Sequence, residues 1–351
     1  MRVMHIITQS ELGGAQSVVL NLANYFASLE GFEVYVVSGG PGDAWKGLTD
    51  KVKVIYIKES VKQVGWKDLI VWFKLLKIRM KYKPDVVHLH SSKAGVLGRL
   101  AFPRKKIIYT VHGFDSIRVA FRQFLPLEKI LKNHARHIVG VSKYDVANLA
   151  KEGISSVCIY NGITDSSIAP QKDDDLEQKI EIVNHLKLKK QFIVLCIARY
   201  AKPKRYDLFC QVADSLSKEN ISFVWVGNQL VPDYIPDNVY CLGEISDAHR
   251  LIAYADLFML PSDYEGLPIS VIEALSYRKP VVASDVGGIK EILDGSNGFV
   301  VPNHPGAFAE KIQLYKTDKK MYELSSLAAR KSYLEHFTIE IMCNQYKTLY
   351  I

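Results

Sequence analysis

The chain has 351 residues, enough for two domains that each bury a core, and its 48% hydrophobic and 23% charged content exclude a disordered protein. No run of eighteen apolar residues is present, which excludes a membrane-spanning helix. The net charge of +8 is uneven. Residues 1–170 carry 24 Lys+Arg against 13 Asp+Glu, and residues 171–351 carry 21 against 24, so the first half holds the field that attracts nucleic acid, anionic lipid or a phosphorylated ligand.

The opening "MRVMHIITQSELGGAQ" has a basic residue and a short apolar run that enters a glycine turn, so it reads as a first strand and not a signal peptide. Strands are expected at 2–8, 33–38, 53–57, 85–90, 106–111 and 137–142, each a short β-branched or aromatic run. Helical patterns fall between most of them, at 15–29, 66–81, 95–101, 122–133 and 143–151. Strands alternating with helices imply a mainly parallel sheet covered on both faces. Polar, proline-containing residues 161–178 read as a linker. The second half repeats the theme, with strands expected at 192–198, 222–227, 239–242, 257–260, 280–284 and 298–301. A helical pattern then runs from about 318 to 351, broken near 336–338. The expected division is residues 1–162, residues 163–335, and a last helix, 336–351, that packs back on the first domain. Two such sheets in tandem make a cleft, and ligands of open parallel sheets bind at the carboxyl ends of strands.

One segment after a strand carries chemistry. "DYEGLPISVIEAL" (263–275) places Glu265 in a loop and Glu273 over a turn inside the next helix. Pro268 suits that helix's first turn, and the backbone N–H groups near Gly266 and Leu267 face out of its N-terminus, a site for a diphosphate. Gly266 lets a ligand approach the backbone closely. Carboxylates accept from paired sugar hydroxyls, so this layout matches ribose, diphosphate and sugar in sequence. An acidic helix start complementing its dipole would account for Glu265 but not for Glu273.

Other features are weaker. "ARYAKPKR" (198–205) follows a strand and offers Arg199 and Lys204 to the charge that builds on a departing phosphate. His112 follows the strand ending at Val111. Gly13 and Gly14 make a tight turn, but no G-x-G-x-x-G is present, which argues against a dinucleotide cofactor. Asp173–Asp175 forms a D-x-D pattern inside a charged linker, where a solvated charge run is expected rather than a metal site. His88 and His90 share a strand face without a full metal-ligand set. The five cysteines, Cys158, Cys196, Cys210, Cys241 and Cys343, form no paired motif and read as free thiols in a reducing compartment. Residues 65–83 read as a basic amphipathic helix with Trp66, Trp72, Phe73 and Lys74, suited either to sheet packing or to an anionic membrane surface.

The Glu265–Glu273 spacing, with "GLP" between, resembles the signature of retaining glycosyltransferases of family 4. The likeness continues through "GGAQ" (13–16), "KPDVVHLHSSKAGVLGRLA" (83–101), "TVHGF" (110–114), "YNGI" (160–163), "ARYAKPKR", "VGNQ" (226–229), "LGEISD" (242–247), "KPVVASDVGG" (279–288) and "NGFVVP" (297–302), in the family's order. The resemblance implies an α/β GT-B fold of two Rossmann-like parallel-sheet domains facing across a cleft. It implies transfer with retention of a hexose or N-acetylhexosamine from a nucleotide-sugar, with UDP favoured, and no cofactor or metal. The catalytic set would be Glu265, His112, Arg199 and Lys204, with His112 hydrogen-bonded to the donor sugar. Gly13, Gly14, Asn161, Gly227, Glu244, Gly266, Leu267, Pro268 and Glu273 would bind the donor. Where the family has glycines beside the basic pair, this chain has Ala198 and Arg205. The first domain would hold the acceptor, a lipid-linked sugar of capsule, O-antigen or exopolysaccharide synthesis. Ser91, Lys93, Trp66, Trp72 and Lys74 are the candidates for acceptor or membrane contact. The expected location is cytoplasmic, on the inner face of the membrane, with no nucleic-acid partner. A GT-B epimerase or phosphorylase, and a basic nucleic-acid-binding protein, are the alternatives.

Overall fold

The computed structural model describes residues 1–165 and 174–351, with side chains at 174 and 175 outside the description. The chain forms two units, residues 1–162 with 339–351, and residues 163–338. In the first unit, seven parallel strands run β1 (Arg2–Ile6), β2 (Glu33–Ser38), β3 (Val52–Tyr56), β4 (Val86–His90), β5 (Ile107–Val111), β6 (His137–Gly140) and β7 (Val157–Cys158). Their order across the sheet is 3-2-1-4-5-6-7. In the second, β8 (Phe192–Ile197), β9 (Ile221–Val226), β10 (Val239–Cys241), β11 (Leu257–Leu260), β12 (Val281–Ser284) and β13 (Gly298–Val301) lie in the order 10-9-8-11-12-13. All pairings are parallel.

Both sheets are doubly wound because their β-branched strands are buried on both faces and need a helical cover on each side. In each sheet the order reverses beside the first strand of the unit, next to β1 and next to β8, so the loops after those strands open at a switch point. In the first unit the segment 125–133 is held by a buried ion pair at 2.6 Å from Glu128 to Arg99 of the helix Ser92–Ala101, with Arg99 stacked 4.5 Å from the centre of the Tyr109 ring on β5.

Several elements depart from expectation. Strand β7 is only two residues long at the sheet edge, too short for a hydrophobic pattern to reveal. The helix expected over 122–133 is broken into a helix over Leu125–Ile130 flanked by tighter turns, because Pro126 fits only a first turn. Residues 174–178, read as linker, open the helix Asp174–Leu188. The rest of that linker, 166–173, and the D-x-D pattern with its three side chains lie outside the described residues and side chains.

The terminal helix Ile339–Tyr350 belongs to the first unit. Tyr346 places its hydroxyl 2.9 Å from Thr110 Oγ1, and Tyr350 places its own 2.7 Å from His88 Nδ1. Phe26 packs on the Tyr350 ring at 4.7 Å between centroids. In the second unit, Ile163 pairs with Thr338 as a parallel bridge, and the Ile163 N–H donates to the Phe337 carbonyl at 3.0 Å.

Candidate active site

The loop after β11 is tied down on every side. Ser262 N–H donates to Ser284 Oγ at 2.8 Å, Ser284 Oγ donates to Asn303 Oδ1 at 2.5 Å, and Asn303 Nδ2 donates back to the Ser262 carbonyl at 2.9 Å. Asp263 N–H donates to the Pro203 carbonyl at 2.8 Å, and Gly288 N–H to the Gly266 carbonyl at 2.9 Å. Residues 262–266 are therefore fixed by the ends of β8, β12 and β13. Held this way, Glu265 is buried, with one carboxylate oxygen accepting from Ser262 Oγ at 2.6 Å and from the Lys204 ammonium. The pair brings the two sequence candidates together at the carboxyl ends of adjacent strands.

The helix that follows is Ile269–Ser276, and Pro268 is its N-cap rather than its first residue. Proline has no side chain able to cap, so the leading amides before the Ile272-to-Pro268 bond remain available to an anion. Gly266 is partly exposed beside them, while Leu267 and Pro268 are buried and anchor the turn. Arg199 is exposed at the end of β8, and its side chain forms no ion pair or hydrogen bond among the described residues. Arg205 is committed elsewhere, to Asp207 at 2.8 Å and Asp263 at 3.1 Å. Arg205 thus braces the loop, while Lys204 meets Glu265.

Glu273 is partly buried one turn inside the helix, and its carboxylate has no hydrogen-bond or ion-pair partner among the described residues. Burial raises its pKa, with the Asp247 charge adding to the shift and His249 opposing it. A carboxylate left in that condition is an acceptor waiting for a donor. Gly227 follows β9 with φ of +114°, and a Cβ there would lie 2.4 Å from the Ala198 carbonyl oxygen, so this backbone crosses directly under the Arg199 loop. Glu244 is exposed and accepts from Gln229 Nε2 at 2.7 Å.

In the first unit, Gly13 is the N-cap and Gly14 the first residue of the helix Gly14–Ser28, again with no side-chain cap. His112, partly exposed at the end of β5, contacts His90 through ring nitrogens 3.0 Å apart. Burial pushes its pKa down to about 4, so it is neutral at physiological pH. Asn161 is buried just before the second unit begins.

Residues 12–167 match the model described as Glycosyltransferase Family 4, and residues 191–318 match that of Glycosyl transferases group 1. The chain is a glycosyltransferase of the GT-B fold. As an enzyme it is a hexosyltransferase. This glycosyltransferase is 29% identical to the O-antigen biosynthesis glycosyltransferase WbnH of Escherichia coli, over 98% of this chain and 97% of that protein. It is 26% identical to the E. coli UDP-Gal:alpha-D-GlcNAc-diphosphoundecaprenol alpha-1,3-galactosyltransferase, over 100% and 97%. Its backbone matches that of Anabaena Alr3699/HepE in complex with UDP and glucose with a TM-score of 0.82, at 20% identity and over 99% and 98% of the chains.

The remaining candidates divide. Ser91 sits at the N-terminus of the helix Ser92–Ala101 in a left-handed conformation, φ 72°, with its hydroxyl 2.7 Å from Thr8 Oγ1. The Lys93 ammonium donates to the Val61 and Gln63 carbonyls at 2.8 and 2.6 Å and pairs with Asp68. Its three N–H groups are thereby occupied in bracing the 61–68 loop, which removes it from the acceptor set. Trp72 packs against the core of the first unit, so it does not belong to an outward membrane-facing set. Trp66 is 75% exposed, and Lys74 pairs with Glu59 at 2.5 Å.

Sequence reasoning missed the supports of the glycosyltransferase site. Ser262, Ser284, Asn303 and Gly287 hold the Glu265 loop, and His5 and His90 lie behind His112. Ser284 and Gly287 stand in "KPVVASDVGG", whose likeness to the family's pattern was the one available signal.

Proposed function

We propose that this enzyme transfers a hexose or N-acetylhexosamine, with retention, from a UDP-sugar to a lipid-linked sugar acceptor in the synthesis of O-antigen, capsule or exopolysaccharide. The observation that carries the reading is the Lys204–Glu265 pair set between an uncapped helix start and the unpaired Arg199. The diphosphate would rest on the amides at 269–271 with Arg199 and Lys204 neutralising it, a positive site that supplies its charge without a metal. Glu265 would accept from sugar hydroxyls, Glu273 from the ribose, and His112 would contact the sugar. Gly227 and Glu244 would line the base, while Gly13, Gly14 and Asn161 would complete the donor contacts. As the bond from the anomeric carbon to the phosphate oxygen breaks, the acceptor oxygen bonds to that carbon from the same face. The departing phosphate oxygen takes the acceptor's proton. A UDP-sugar donor and a lipid-diphosphate acceptor are supported by the names of the relatives and of the structural neighbour.

The test is thermal melting with UDP, GDP and NAD in the presence of EDTA. A shift of a few degrees with UDP alone is expected. Glu273→Ala should weaken that binding roughly 10- to 100-fold, the loss of a hydrogen bond to a charged group. No shift with either nucleoside diphosphate would overturn the donor site.

A peripheral position on the inner face of the cytoplasmic membrane is part of the proposal. The helix Lys67–Tyr82 buries Val71, Leu75 and Ile78, yet Leu69, Phe73 and Met80 are 59%, 52% and 66% exposed on another face, continuing the line of Trp66. Lys67, Lys77 and Lys81 lie among them, exposed. A second apolar stripe amid basic residues fits an anionic lipid surface. No helix among the described residues is long and apolar enough to cross a membrane. Flotation should show at least tenfold stronger partitioning onto anionic than neutral vesicles, and Trp66→Ser with Phe73→Ser should abolish it. Equal partitioning onto the two would remove the membrane from the account.

A further inference from the structure

Four histidines meet in the sheet of the first unit. His5 on β1 and His88 on β4 are register partners, His90 lies two residues further on the same face, and His112 directly follows β5. His5, His88 and His90 are fully buried, and His112 alone is partly exposed. Burial lowers every one of their pKa values, His5 to about 3 and His112 to about 4, so each ring is neutral and carries one N–H and one lone pair.

Three of the rings are linked nitrogen to nitrogen. His5 Nδ1 is 3.2 Å from His90 Nε2, and His90 Nδ1 is 3.0 Å from His112 Nε2. Each link needs one proton, and each neutral ring has one proton to give, so the chain has only two consistent directions. The buried end decides between them. His5 Nε2 is enclosed without a partner. A hydrogen there would be an orphaned buried donor, rarer in proteins than an orphaned acceptor. His5 therefore carries its proton on Nδ1 and donates to His90, which donates to His112 Nε2, leaving the His112 proton on Nδ1. That Nδ1 has no partner among the described residues. His88 stands outside the chain, with one nitrogen 2.7 Å from the Tyr350 hydroxyl and the other 2.7 Å from Thr110 Oγ1. The ligand nitrogens of His5, His88 and His90 lie within 4.8 Å of one another, yet hydrogen bonds engage both nitrogens of His88 and of His90.

We propose that His5 and His90 are positioning residues whose directed hydrogen bonds fix His112 as the Nδ1–H tautomer, so that its ring presents a donor to an oxygen of the transferred sugar. This rests on the reading that His112 contacts the donor sugar. A ring fixed in this way distinguishes an accepting sugar oxygen from a group that can only donate.

Long-range 15N–1H spectra of histidine-labelled protein test the chain directly, with the His112 signals assigned by their loss in His112→Asn. Wild type should show Nδ1–H at His112. His5→Leu should convert it to a tautomer mixture, and His5→Asn, whose amide lies where Nδ1 was, should restore it. A purely structural His5 would leave the tautomer unmoved. Should His5→Leu fail to fold, His90→Gln breaks the link to His112 while keeping the one to His5. Nε2–H at His112 in wild type, or an unchanged tautomer in the folded His5→Leu or His90→Gln protein, would overturn the proposal. The second readout is the affinity of UDP-glucose and of UDP-galactose over UDP alone. The better-bound sugar should lose about fivefold of that gain in His5→Leu. If the tautomer behaves as expected but His112→Ala keeps the whole gain, the contact between His112 and the sugar is wrong although the chain stands.

Discussion

Glu265→Gln is expected to lower kcat by about 10²- to 10³-fold while the melting temperature moves by no more than a few degrees. The substitution preserves volume and leaves Ser262 an oxygen to donate to. It removes the charge that meets the Lys204 ammonium. Lys204 then turns to the diphosphate in the ground state as much as in the transition state, and stabilisation specific to bond breaking is lost. The KM for the donor should stay within about threefold, because on the proposed reading Arg199 and the helix amides would still hold the phosphates. Steady-state rates with sugars of the nucleotide selected by melting would show this. A kcat within threefold of wild type would sink the role given to Glu265.

Gly287→Ala should be the most damaging single methyl in the second unit. Gly287 has φ of +57°, and a Cβ there would lie 1.8 Å from the Glu265 carbonyl oxygen, a backbone atom that cannot rotate away. Strain and displacement together should cost about 2–4 kcal/mol. The Glu265 loop must shift, so affinity for nucleoside diphosphate should fall along with stability. Gly295→Ala is the control. It has φ of +91° with nothing within 4 Å of the added Cβ, and should cost about 1–2 kcal/mol with donor binding intact. Equal behaviour of the two variants in calorimetry and in UDP titration would refute this packing of the loop.

The fold was legible wherever burial dictates composition. Strands such as "EVYVVS" and "LFML" are covered on both faces, so their sequences are nearly continuous apolar runs. Legibility failed where charge masks order. The start of "DDLEQKIEIVNHLKL", residues 174–178, is acidic and nearly without apolar residues, so it looked like linker although it opens a helix. In the site, the Glu265 and Glu273 positions followed from local spacing, because a loop and the helix after it are contiguous. The ties that hold the Glu265 loop come from three other strand ends, and their convergence depends on strand order, which no local pattern encodes. The same holds for Lys93. Its residue type suggested an acceptor contact, but the carbonyls of Val61 and Gln63 reach it only after the chain has folded. The histidine chain is the extreme case, since His5 lies 85 residues before His90 and meets it only because β1 and β4 are neighbours.

The helix Ile339–Tyr350 gives synthesis an order. The first 162 residues contain a complete sheet, but His88 and Thr110 in its core find the hydroxyls of Tyr350 and Tyr346 more than two hundred residues later. A nascent chain ending at residue 338 leaves those groups and the Phe26 ring uncovered while the second unit already has all its residues. The N-terminal unit is the first to be made and the last to close, so the ribosome must deliver the entire second unit before the other sheet is sealed.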